Sequence, residues 1–200
     1  MVNLVKLLGT DLRELRRTFD ANIITEGGMM MTEAYLSALD LGYFEAKVAF
    51  KGLAAQYVWK RPSEGLLSVG ELAGHIAYWQ AVRLAGRNGE DGKPDLANCP
   101  VSSLLIDHRF SYYDTSLATS ISAQHMAMTA EQVCSELIRV HEESVAHFKT
   151  LNPDLADIPP GGPAYHNYGE YLKYAVFHVS YHTGQIYSAR HLLGEETPDN

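Results

Sequence analysis

Hydrophobic positions recur at three- and four-residue spacings along almost the whole chain. Leu4, Leu8, Leu12, Leu15 and Phe19 form one such stripe. It predicts a short amphipathic helix that ends at Gly27-Gly28. Residues 1–28 therefore read as a helical appendage and 29–200 as the body. The body's first helix is predicted from about Thr32 to Tyr57, with Tyr35, Leu39, Leu41, Phe44, Val48 and Leu53 as its apolar face. Arg61-Pro62 stops it. The second opens at Ser68-Val69-Gly70-Glu71, where serine and glutamate can satisfy each other's free backbone donors. It continues through Leu72, His75, Ile76, Trp79 and Val82 to about Leu84. A long segment, 87–128, carries Pro94, Pro100 and several aromatics. It reads as loops with a short helix near 115–126, and loops this long often cover a site. The third helix opens at Thr129 with Gln132 three residues on, and buries Val133, Leu137, Val140 and Val145. A proline- and glycine-rich connector follows. The last helix opens near Asn167 and ends at Leu193-Gly194, where glycine supplies a left-handed cap. The polar tail, 195–200, is expected to fray.

No segment alternates with a period of two, so no strand is expected. The fold class is all-α: a four-helix bundle with an additional N-terminal helix and a long loop-rich connection between its second and third helices.

Composition narrows the function. The chain has 200 residues, 46% of them hydrophobic, enough for one core. Its net charge of -8 argues against a nucleic-acid partner, since phosphates call for a basic patch. No apolar run approaches the roughly 20 residues of a membrane span. Lys6, Asp11, Arg13 and Glu14 interrupt any export signal, so a cytoplasmic location is expected. Cys99 and Cys134 do not make a disulfide framework.

Nine histidines remain to be placed. His178 and His182 stand four apart on one helical face. About 0.4 such pairs arise by chance at this histidine content, so the spacing alone decides little. Their setting adds weight: both lie in a helix apolar enough to be buried, and His75 lies on the stripe Leu72, His75, Trp79 and Val82 of another. Three imidazoles from two helices suit a divalent ion that keeps open positions for water or substrate. Imidazole accepts zinc, nickel, cobalt, iron or copper alike. The ordinary reading of any one buried histidine is a hydrogen-bonded core residue. A shared metal ion would satisfy all three rings at once.

The run Tyr181-His182-Thr183-Gly184-Gln185-Ile186, followed by Arg190 and Leu192-Leu193-Gly194, resembles the last-helix signature of the DinB-like superfamily. Val69-Gly70-Glu71-Leu72-Ala73-Gly74-His75-Ile76-Ala77 resembles that family's second helix. The resemblance covers about 30–200. It implies an up-up-down-down bundle, usually a homodimer, with one divalent metal ion, often nickel or zinc, on His75, His178 and His182. Some relatives are thiol transferases or thiol-dependent isomerases, which implies a low-molecular-weight thiol and a small-molecule substrate. The competing expectation is a metal-binding or stress-related interaction bundle without turnover. Trp79, Tyr181 and Gln185 are candidates to line the pocket or support the ligands, or simply to pack. The residues assign no general base.

Overall fold

The computed structural model describes residues 12–86, 88–89, 93–112, 121–162 and 166–198, with side chains from 29 onward. Five α-helices account for most of it: α1 (Leu12–Ala49), α2 (Val69–Leu84), α3 (Ala123–Met126), α4 (Ala130–Leu151) and α5 (Tyr168–Leu192). Among the described residues there is no strand, only an isolated bridge between Asn88 and Pro94. The chain is all-helical, as the spacing predicts. No described helix is long and apolar enough to cross a membrane.

Local capping fixes where the helices begin. Ser68 and Glu71 form a reciprocal capping box at α2, and Thr129 and Gln132 form another at α4. Asn167 accepts the Glu170 N–H at α5. Gly194, with φ 79°, follows the end of α5 in the left-handed region.

The N-terminal half departs from expectation in two ways. α1 runs unbroken through Gly27-Gly28, where a helix end is predicted. Two interior glycines cost a helix only about 1 kcal/mol each. α1 also ends at Ala49, short of Tyr57, and a separate 3₁₀ turn spans Ala55–Tyr57. Its buried face is Leu36, Leu39, Tyr43, Ala46 and Ala49, whereas Leu41 and Phe44 are exposed.

α1 packs against α5 and α4, and α2 packs against the same two helices. Contacts between named residues give the directions. Gly42 lies against Val179, and Arg190 donates to the Ala49 carbonyl, so α1 and α5 run parallel. Asp40 meets His141 and Glu33 meets Lys149, so α4 runs against α1. His75 meets His178 while Arg83 lies over Tyr174, so α2 runs against α5. The order is therefore up-down-down-up, which corrects the up-up-down-down order that the resemblance implied. Only α2 and α4 are consecutive long helices lying parallel. A 16-residue helix is about 24 Å long, so the chain must return that distance to start α4. Residues 85–129 make this return, which is a topological reason for their length.

The tail is anchored rather than frayed at Glu195 to Thr197, while Asp199 and Asn200 lie outside the described residues. Arg190, 1% exposed, donates to the carbonyls of Ala49, Lys51 and Glu196 and pairs with Glu195. Glu195 also accepts the Ala54 N–H, tying the ends of α1 and α5 together.

Candidate metal centre

α2 and α5 cross with their histidines facing each other. His178 is buried, and His75 and His182 are partly buried. One nitrogen from each ring lies within 4.8 Å of the others. The Nε2 atoms of His75 and His178 are 3.1 Å apart. With metal–nitrogen bonds of about 2.1 Å, two ligands of one ion stand about 3.0–3.4 Å apart when adjacent and about 4.2 Å when opposite. One pair already has the adjacent spacing, and the third ring needs a modest adjustment.

Hydrogen bonds decide which nitrogen each ring presents. His75 Nδ1–H donates to the Phe110 carbonyl at 2.7 Å. His182 Nδ1–H donates to Gln185 Oε1 at 2.6 Å. A neutral imidazole carries one N–H, so both rings keep a bare Nε2, and that of His75 faces His178 Nε2. This is the outer support that metal-binding histidines generally have. Gly74 makes the first contact possible: a Cβ there would lie 2.7 Å from the Phe110 ring, and glycine lets that loop lie on α2.

The rings are also held neutral, as ligation requires. Burial pushes His75 down to about 4, against the Phe110 bond that would raise it. Burial first, then the Arg83 charge, pushes His178 down to about 2. Burial lowers His182 as well, against its bond to Gln185. The donor set is thus three neutral imidazoles with two tautomers fixed, which fits a divalent ion. Neither cysteine competes, because burial pushes the thiols of Cys99 and Cys134 up.

Of two cavities near the crossing, only the larger is lined by histidines of the cluster. One, of about 580 Å³, is lined by His75 and His182 with Leu66, Leu72, Tyr112 and Leu192. The other, of about 410 Å³, is lined by Trp79, Arg83, His166, Tyr171 and Tyr174. The three sequence-predicted ligands are brought together. Gln185 supports His182 and also donates to the Tyr181 hydroxyl at 3.3 Å. Trp79 lies edge-on to His75, with ring centroids 6.5 Å apart, and carries Arg83 on its face. The remaining six histidines do not join the group. His125, for instance, donates to the Leu104 carbonyl, and His141 stacks on Tyr43 and donates to Asp40.

Sequence reasoning missed the Phe110 carbonyl, Tyr112 and Arg83. Tyr112 has a left-handed backbone, φ 55°, uncommon for so bulky a residue, and its ring lies 5.4 Å from that of His75. Arg83 was open to detection, since His75, Trp79 and Arg83 follow one another at four-residue steps along a single face.

No curated protein matches the chain. The sequence profile of the DinB superfamily matches residues 45–186, which span all three histidines and more than two thirds of the chain, so the chain belongs to the DinB superfamily.

Proposed function

We propose that this protein is a metal-dependent thiol S-transferase, with one divalent ion, nickel or zinc, held by His75, His178 and His182. The single observation that carries the metal reading is the pair of Nδ1–H bonds, to Phe110 and Gln185, that leave two Nε2 atoms bare within a cluster of three rings. Bound there, the ion would act as a Lewis acid, lowering the pKa of a small thiol so that its thiolate is available at neutral pH. The rest is the work of the chain. Phe110 and Gln185 hold the ligand tautomers, and the apolar walls of the larger cavity, Leu66, Leu72 and Leu192, desolvate the electrophile. The thiolate sulfur forms a bond to the electrophilic carbon, whose leaving group departs with the bonding pair. The thiol's proton goes to solvent.

Protein purified without a nickel column and then reconstituted should hold about one equivalent of metal. Less than about a tenth of an equivalent would end the reading. Loaded protein given a small thiol and a model electrophile should turn over, and His178→Ala should abolish this. Metal binding without turnover for any thiol would favour the non-catalytic bundle.

The same reading includes a homodimer. Tyr174, Phe177 and Tyr181 form an exposed row of touching rings on α5, and Leu41 and Phe44 are exposed on the neighbouring α1. A row of exposed apolar rings beside exposed Leu41 and Phe44 supports this face as the proposed contact.

A further inference from the structure

The larger cavity has no Asp, Glu, Lys or Arg in its wall. Leu66, Leu67, Leu72 and Leu192 supply apolar surface, and the polar side chains are few enough to account for singly. His75 donates to the Phe110 carbonyl and His182 to Gln185 Oε1. Gln185 Nε2 donates to the Tyr181 hydroxyl, and Ser188 Oγ donates to the Gly184 carbonyl. Tyr112 remains. Its hydroxyl is buried and has no hydrogen-bond partner among the described residues. Such a group is rare in a folded protein, because burial has cost it its water. The same residue carries the left-handed backbone, φ 55°. Two local costs thus accompany a ring that lines the cavity 5.4 Å from His75. Costs of this kind gather where a ligand is held.

We infer that the larger cavity takes an uncharged, largely apolar electrophile with one hydrogen-bond acceptor, and that the Tyr112 hydroxyl donates to that acceptor. The inference rests on the transferase reading for calling the ligand an electrophile. The cavity itself supplies the rest. Its volume, about 580 Å³, suits a small organic molecule. Its wall offers a carboxylate no cation and an ammonium no anion, so a charged group would lose its water without return. A carbonyl oxygen loses less and gains the phenol. A rotation of the ring, of the kind side chains make on binding, brings the hydroxyl to it. The two imidazoles of this wall cannot serve a carbonyl in metal-free protein, since their bare Nε2 atoms accept and do not donate. Tyr112 thereby selects the substrate.

The test uses metal-free protein, in which no ion attracts the ligand, and no thiol, which keeps it separate from the turnover assay. Acetophenone, propylbenzene and benzoate are titrated by calorimetry. The ketone and the hydrocarbon should bind, and benzoate should bind at least about tenfold more weakly than the ketone. Tyr112→Phe keeps the ring and should cost the ketone about tenfold in affinity, as loss of one hydrogen bond gives, while the hydrocarbon binds as before. Urea unfolding checks the fold of the variant, and loss of an unpartnered hydroxyl should not lower the midpoint. A ketone affinity unchanged in Tyr112→Phe would overturn the donor role. Benzoate binding as tightly as acetophenone would overturn the uncharged class, and failure of all three to bind would overturn the inference outright. None of these results bears on thiol transfer, whose failure is read from the turnover of loaded protein.

Discussion

Acid should unfold the metal-free protein through the centre itself. In the folded chain His75 titrates at about 4 and His178 at about 2, against an ordinary value of 6.5. Both folded values are depressed, so between them and 6.5 the unfolded chain binds more protons. Stability is then fully present above the ordinary value and is lost as pH falls below it. At pH 7 the unfolded rings are largely neutral and the effect is small. At pH 5 an unfolded ring is almost wholly protonated and a folded one is not, which costs about 2 kcal/mol per ring and about 4 kcal/mol for the pair. Against a total stability of roughly 5–15 kcal/mol, this is a large share. The assay is urea unfolding of chelator-treated protein at pH 7 and pH 5, on the parent and on the double variant His75→Phe, His178→Leu. The parent should lose about 4 kcal/mol more than the variant between the two pH values. His141 is also lowered by burial, but it contacts neither replaced ring, remains in both chains and drops out of the comparison. Equal losses in the two chains would refute the argument that these rings are buried and neutral.

Other perturbations test other joints of the structure. Gln185→Leu removes the acceptor for His182 Nδ1 and should weaken zinc affinity by about 10- to 100-fold in a chelator competition; an unchanged affinity would remove Gln185 from the support of the centre. Gly74→Ala forces a Cβ against the Phe110 ring and should cost about 1–3 kcal/mol in urea while also weakening metal binding, because the carbonyl on His75 moves with the ring. Arg190→Met leaves the carbonyls of Ala49 and Lys51 without their donor and Glu195 without its partner, and should cost about 3–5 kcal/mol; an unmoved urea midpoint would show that this network is dispensable. Phe177→Glu puts a charge in the exposed aromatic row; if the proposed dimer uses this face, light scattering should find the parent dimeric and the variant monomeric, and a monomeric parent would refute the dimer.

The helix starts were legible because capping is local. Ser68 with Glu71, Thr129 with Gln132 and Asn167 with Glu170 each lie within four residues of one another. The face of α1 was not legible. Leu41 and Phe44 are apolar and point outward, so the sequence carries two competing stripes, and only packing against α4 and α5 chooses between them. Helix direction was hidden for a related reason: periodicity fixes which face is buried and is silent on which way the helix runs. The cluster of His75, His178 and His182 was legible because two share a helical face and the third lies on another apolar stripe. The group that orients His75 could not be found this way, since it is a backbone carbonyl 35 residues along the chain, and any residue type supplies one. The His141 network was equally hidden, because its partners Asp40 and Gln80 come from two other helices.

The choice of donors bears on what the centre admits. Three neutral imidazoles leave a divalent ion its full charge, where a carboxylate ligand would cancel part of it. The buried carboxylate of Glu71 caps α2 and pairs with Arg61, and the exposed Asp40 takes the N–H of the buried His141. Arg83 then adds a second positive charge, felt at all three rings. Walls of leucine and tyrosine lower the local dielectric, so these charges are weakly screened. Such a centre discriminates by sign. With a divalent ion bound as proposed, it would stabilise the anionic form of whatever enters, deprotonate a weak acid such as a thiol more readily than water does, and repel a cationic substrate.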